Sequence, residues 1–206
     1  MIETVKNAWK IPELRKKLTF VLFAIVIFRL GFSIYVPFVD TKSLANQFAS
    51  LNNGNLLGYF NTLSGGGFSQ ASIFAMSIYP YINASIIIQL LTVAIPALER
   101  MAKEEGEEGK KKIEKLTRYS TVALGLLLGF AYYTMLRNYA SQGLNIITNK
   151  GTLSAIVIVL AFTAGSSVVM WMGEQITEFG IGNGISMILF ANIISGIPGT
   201  VRTLAS

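Results

Sequence analysis

Residues Ala71–Ile95 read ASIFAMSIYPYINASIIIQLLTVAI, 25 residues without a charge. At about 1.5 Å of rise per residue, a helix of that length crosses a hydrocarbon layer of ~30 Å. The stretch therefore predicts a membrane helix. Steps of three and four place Ile78, Tyr81, Ile82, Ser85, Gln89 and Thr92 on one stripe, apolar in its first half and polar in its second. Unpaired polar groups in hydrocarbon cost several kcal/mol each, so a face with Ser85, Gln89 and Thr92 must point at protein or water. Two readings of the stripe stand. It is a helix-packing face held by polar side chains, or it is the wall of a pore with Ile78 and Ile82 as its dry constriction.

Composition agrees with a membrane protein. The chain is 52% hydrophobic and 14% charged, with a mean hydropathy of +0.53, and its charges are clustered rather than spread as on a soluble surface. There is no cysteine and no histidine, which removes thiolate chemistry and the commonest general base and metal ligand. These absences argue against an enzyme, and nothing in the sequence calls for a cofactor. The net charge of +6 sits on residues flanking apolar spans, without the aromatic platform of a nucleic-acid binder. Anionic lipid head groups are the better partner.

Outward from the opening stretch, residues 1–17 set Lys6, Lys10, Arg15, Lys16 and Lys17 against Glu3 and Glu13, with Ile2, Val5, Trp9 and Ile11 interleaved. That pattern predicts an amphipathic segment on the membrane surface, broken at Pro12. A first span covers 18–36. It is too long, and Ile34-Tyr35-Val36-Pro37 too bulky, for a cleaved signal peptide. Arg29 near its far end is expected to position the helix, by snorkelling or by bonding to neighbours. A polar segment then runs to Asn55. In 56–67, Leu56, Tyr59, Phe60 and Leu63 form one apolar face too short to span, followed by Gly65, Gly66 and Gly67 as a hinge. The alternatives there are a lid and an ordinary interfacial loop helix. No Gly-Lys-Ser/Thr follows the glycines, so they are not a phosphate loop.

Residues 99–118 mix seven Lys or Arg with six Glu and predict a solvated loop. Further spans are expected at 119–136, where Gly125 and Gly129 have close-packing spacing, at 153–172, and at 184–204. Residues 137–151 and 173–184 are the connections. Asn183 is a helix N-cap candidate, and the GxGxG beside it follows no strand and so is no dinucleotide signature. The last span is the weakest on length, because Ile185–Ile197 alone is re-entrant in size; Arg202 snorkelling extends it. With the N-terminus inside, twelve Lys or Arg lie on the inner side and four, Lys42, Arg137, Lys150 and Arg202, on the outer. This bias predicts a cytoplasmic N-terminus and argues against dual topology.

The runs FSQASIFAMSIYPYINASIIIQLL, EEGEEGKKKIEKLTRYST and GEQITEFGIGNGIS, with FRLG around Arg29, occur in this order along nearly the whole chain. Together they resemble the SecY family, the central subunit of the bacterial protein-conducting channel. The resemblance implies an all-α membrane protein: a five-transmembrane-helix half of a ten-helix inverted-repeat channel, with a short plug helix. It matches the amino-terminal half. By resemblance Ile78, Ile82, Ile185 and Leu189 belong to the pore ring, and Leu56, Tyr59, Phe60, Leu63, Gly65, Gly66 and Gly67 to the plug. Asn83, Ser85 and Gln89 are assigned to the lateral gate through which signal sequences leave for lipid. The implied function is protein translocation across, and insertion into, the bacterial cytoplasmic membrane. The implied partners are SecE, SecG, SecA, the ribosome, signal-sequence-bearing preproteins and the carboxy-terminal half of SecY. The chain is expected to be a fragment or a split form. Half of a small-solute transporter and a non-conducting membrane scaffold are the alternatives, the first disfavoured because isoleucines stand where a midplane binding cluster would.

Overall fold

The structure, a computed structural model, describes residues 11–50, 58, 61, 64–103, 106–148 and 151–204, without the side chains of 49–50 and 196–204. Seven helices occur among them: α1 Pro12–Gly31, α2 Thr41–Ser50, α3 Tyr79–Ala94, α4 Pro96–Lys103, α5 Gly106–Ser141, α6 Thr152–Phe179 and α7 Gly184–Leu204. No strand forms among the described residues; pairing is limited to two isolated bridges, Tyr35 with Ser72 and Val39 with Ile147. Five of the helices, α1, α3, α5, α6 and α7, overlap the five segments predicted to span, although α1 already starts at Pro12 and ends at Gly31, leaving 32–36 of the expected first span outside the helix. By length and composition α5 and α6 are each apolar and long enough to cross a membrane, and α3 with α4 would make a third.

Helix α6 is the centre of the bundle, with α1, α3, α5 and α7 all packed on it. Small residues allow this. On the α5 side, an added Cβ at Gly125 would lie 3.2 Å from Ser166 Oγ, and one at Gly129 would lie 3.2 Å from the Val159 carbonyl. On the other side a Cβ at Gly165 would run into the carbonyl of Ile73, and one at Gly184 into the carbonyl of Gly173. Two apolar clusters fill the remaining space. The first gathers Leu44, Met76, Tyr132, Leu136, Ile146 and Phe162, and the second Val21, Phe28, Phe74, Ile78, Val169 and Ile188.

The opening stretch is not one helix. Residues 71–78 are irregular, with Ala71 at φ +46° and Ser77 at φ +48°, and α3 starts only at Tyr79, with Pro80 in its first turn. The reason lies in where the backbone bonds go. Val36 N–H donates to the Ala71 carbonyl and Ile73 N–H to the Ile34 carbonyl, both at 2.9 Å, so this segment pairs with 34–36 instead of with itself. At the other end Ile95 is extended, as the residue before a proline prefers, and α4 leaves at 103° to α3. Ile78 caps α3, and its carbonyl accepts from both Tyr81 and Ile82 at 3.1 Å, so the spacing from 78 to 82 survives the loss of the preceding turns.

Two connections are more helical than their composition suggests. Within the charged 99–118 region α4 and the first turns of α5 form, and Arg118 Nε reaches Glu174 Oε1 of α6 at 3.0 Å. Residues 173–179, read as connection, continue α6, leaving only 180–183 between α6 and α7. That turn is tied by Thr177, whose hydroxyl donates to the Gly173 carbonyl and accepts from Gly184 N–H, both at 2.9 Å. Asn183 caps α7 as its spacing predicts, its Oδ1 accepting from Ile185 N–H at 2.9 Å and Ser186 N–H at 3.2 Å. In the polar 37–55 segment, Asp40 caps α2 in the same manner: Ser43 Oγ and Lys42 N–H donate to its carboxylate and hold the carboxyl below its usual range.

The contact at Gly165 makes a direct prediction. Gly165→Val must push the 71–78 segment off α6, and overpacking of this kind costs roughly 3 kcal/mol. Val168→Ala, on the exposed side of the same helix, should stay within about 0.5 kcal/mol of the parent. Denaturant titration in detergent micelles compares the two.

Candidate functional site

The four residues assigned to a ring come together. Ile78 is fully buried, Ile82, Ile185 and Leu189 are half-buried, and all four belong to the apolar cluster around Phe74, Val169 and Ile188. Gly173 of α6 lies against two of them, Ile78 and Ile185. A Cβ there would lie 3.0 Å from Ile78 Cδ1, 3.5 Å from Ile188 Cδ1 and 3.9 Å from Ile185 N. Ile185 is in the first turn of α7, and the short 180–183 turn folds back so that this first turn reaches the level of Ile78. Ile78 is the deepest of the four, seated against α6, while the other three retain exposed surface.

From this cluster the α3 stripe continues as read from the sequence. Ser85 and Thr92 are half-buried, Gln89 is exposed, and the Thr92 hydroxyl donates to the Gln89 carbonyl at 2.6 Å. The three residues assigned to a lateral gate do not assemble. Asn83 is two positions from Ser85, about 200° around the helix. It lines a separate apolar cavity of 260 Å³ between α3 and α5, with Met76, Tyr79, Leu128 and Met135.

Of the residues assigned to a plug, Leu56, Tyr59, Phe60 and Leu63 lie outside the described residues. Gly65, Gly66 and Gly67 lie in a turn that is packed rather than free. Asn61 knits it, its carbonyl accepting from Gly66 N–H and Ser64 Oγ, and its side chain from Ser69 N–H. Gly65 and Gly66 have φ of +64° and +84°, and a Cβ at Gly67 would come within 2.6 Å of the Phe32 ring. Tyr132 of α5 then fixes the outgoing chain by donating to the Phe68 carbonyl at 2.5 Å, with the two rings edge to face at 4.5 Å. Tight packing against Phe32, more than hinge freedom, accounts for the third glycine.

Sequence reasoning missed one polar pair. Asn192 of α7 donates from Nδ2 to Ser77 Oγ at 2.7 Å, both residues fully buried, Ser77 next to Ile78 in sequence and Asn192 one helical turn from Ile188. A lone Asn one helical turn from Ile188 in an otherwise apolar run was the available signal. Arg29 is half-buried and stands over the Phe32 ring at 5.1 Å, so it packs against a neighbouring side chain. No cluster that could hold a metal ion occurs among the described residues.

The sequence pattern of the SecY family matches residues 72–206. The protein translocase subunit SecY of Streptomyces griseus is 45% identical over 206 residues, covering 98% of this chain and 47% of that protein. SecY of Buchnera aphidicola subsp. Acyrthosiphon kondoi is 46% identical, covering 92% and 52%, and SecY of Escherichia coli (strain K12) is 45% identical, covering 92% and 42%. The chain thus spans about half the length of the curated relatives it matches. A solved structure described as that of a protein conducting channel aligns with a TM-score of 0.62 at 15% identity, over 94% of this chain and 41% of its own. At that identity it supports the fold alone.

Burial ranks the four cluster residues. Ile78→Ala should open a cavity and cost about 3 kcal/mol, and Leu189→Ala, already half exposed, roughly half as much. Equal losses in detergent unfolding would show that the two side chains are packed alike.

Proposed function

The chain belongs to the SecY family, and from that premise we propose that it is the amino-terminal half of a protein-conducting channel, contributing half of a pore ring, a plug and one side of a lateral gate. One observation carries the reading. Ile78 and Ile82 of the α3 region and Ile185 and Leu189 of α7, about a hundred residues apart, converge in one apolar cluster, below which the α3 stripe turns polar. An apolar constriction sheds water and so resists ions, yet it deforms around a passing peptide because no fixed hydrogen bonds need to break. Ser85, Gln89 and Thr92 line the wet cytoplasmic funnel beneath it. The exposed surfaces of Ile82, Ile185 and Leu189 face the conduit, and Ile78, at the start of α3 and seated against α6, backs them. This is conduction, with no bond made or broken.

Its substrates are preproteins and membrane proteins bearing signal sequences, and its setting is the bacterial cytoplasmic membrane, with the N-terminus and the 99–118 region on the inner side by the distribution of Lys and Arg. A carboxy-terminal SecY half completes the ring; SecE, SecG, SecA and the ribosome are the further partners, and anionic lipids hold the basic flanks. Asn83, facing the α3–α5 cavity, belongs to the outer wall of the gate, and Ser85 and Gln89 to its lumenal side. A solute-carrier half fits less well, because the place where its polar binding cluster would stand is apolar.

In a channel completed by its second half, Ile82→Asn hydrates the constriction and should raise ion conductance of the resting channel several-fold. Unchanged conductance in planar bilayers would return the cluster to plain helix packing. The 206-residue chain by itself exposes Gln89 and the polar stripe to lipid unless another protein covers them. Vesicles carrying it with SecA, ATP and a preprotein should therefore accumulate protease-protected preprotein only when the carboxy-terminal half and SecE are added. Equal protection without them would mean that this chain forms its own conduit.

A further inference from the structure

Three hollows on α5 run into one another. The apolar cavity of 260 Å³ between α3 and α5 has Ala131 and Met135 in its wall, and the same two residues line a groove of 540 Å³ that also takes in Arg137 and Ser141. Arg137 and Ser141 in turn line a third hollow, of 120 Å³, with Tyr133 and Ile147. From Leu128 in the first hollow to Arg137 in the other two the helix rises about 13 Å. That is close to half of a ~30 Å hydrocarbon core, the depth of one leaflet's acyl chains. The chemistry along the track changes in the order of a phospholipid. Phe68, Met76 and Leu128 make the deep end apolar. At the other end Arg137 directly follows the apolar run 119–136; it is exposed and makes no ion pair or hydrogen bond with a described residue. The Ser141 hydroxyl already donates to the Asn138 carbonyl at 2.7 Å, so Arg137 is the group left to meet an anion.

We propose that a phospholipid of the leaflet in which α5 ends occupies this track, with its phosphate on Arg137 and one acyl chain running past Met135 into the α3–α5 cavity. The proposal needs α5 to cross the membrane and does not need the chain to conduct, so it stands or falls apart from the channel reading. A guanidinium fork matches two phosphate oxygens at once, and it stands where the hydrocarbon ends and the head groups begin. The cavity walls lose dispersion contacts while the space between them is empty, and a tail restores them. Each contact favours the other: a head group held at Arg137 keeps its tail at a high effective concentration beside the cavity, and a seated tail does the same for the phosphate. Ala131, whose small side chain is shared by the cavity and the groove, leaves the passage between them open.

The test places the 206-residue chain in vesicles of phosphatidylethanolamine and phosphatidylglycerol that contain a small share of phosphatidylglycerol with a diazirine midway along one acyl chain. After illumination, labels on the cavity wall at Met76, Leu128 and Met135 are compared in the same sample with labels on the outer face of α6 at Leu153, Ile156 and Leu160. Those three α6 residues are exposed and follow α5 on the same side of the membrane, so they report bulk lipid. Cavity labels should exceed the α6 labels severalfold. Arg137→Gln, at an exposed position that the fold tolerates, should lower the cavity labels by roughly tenfold, the scale of one hydrogen bond to a charged group. It should leave the α6 labels unchanged, and Arg137→Lys, which keeps the charge, should retain most of the signal. Ala131→Phe, which fills the passage, should remove the cavity labels without moving those on α6. Cavity labels no higher than those on α6, or unmoved by Arg137→Gln, would overturn the site and leave Arg137 as a cation reaching for water. The same labelling is repeated with the carboxy-terminal half and SecE present, where the cavity labels should persist. Their loss would assign the cavity to a helix of that half and overturn the lipid site, whereas a chain that labels as expected and does not conduct would count against the channel reading alone.

Discussion

The bundle depends on one bare strip of backbone, the side of α6 that carries Gly165 and Gly173. The Ile73 carbonyl sits where a Cβ of Gly165 would be, and the Gly173 carbonyl sits where a Cβ of Gly184 would be. In a membrane the hydrophobic effect gives helices little reason to prefer one another over lipid, so close approach and dispersion must supply the association. Two contacts on one strip fix two different things. The first determines how the irregular 71–78 segment is placed before α3 begins, and the second determines how tightly α7 turns back on α6. Ile78, Ile82, Ile185 and Leu189 of the apolar cluster are delivered by those two elements, so their meeting follows from the absence of two side chains elsewhere.

Much of this was legible in the sequence. Five apolar segments, the close-packing pair Gly125 and Gly129, the cap at Asn183, and the 78-to-82 spacing can all be read from local pattern, because local backbone bonding and helical period decide them. The irregular 71–78 segment could not, since its hydrogen bonds go to residues 34–36 and its helix-like composition says nothing about distant acceptors. The continuation of α6 through Phe179 was hidden for a related reason. Gly173 looks like a terminator in isolation, yet here it is the point where Ile78 and α7 come close. The separation of Asn83 from Ser85 and Gln89, by contrast, was present in the 3.6-residue period all along, and resemblance had grouped what periodicity divides.

The polar residues divide along the same line. Those that satisfy their own helix, such as Thr163 and Ser167 bonding back into α6, leave packing undisturbed and carry no information about neighbours. Ser77 and Asn192 bond across 115 positions of sequence, and such a bond specifies one arrangement of two helices over the alternatives that apolar contact alone would tolerate.

The proline break at residue 96 has a consequence for the surrounding lipid. Helix α3 has 16 residues, so it stands about 24 Å tall, some 6 Å less than an average hydrocarbon core. The segment before it is buried in protein and the helix after it turns away at 103°, so neither extends its apolar outer face, where Ile86, Ile87, Leu90 and Val93 are exposed. Lipid meeting that face must shorten to match, at a fraction of a kcal/mol per ångström. The hydrophobic mismatch makes the bilayer thinner beside α3 than an average hydrocarbon core.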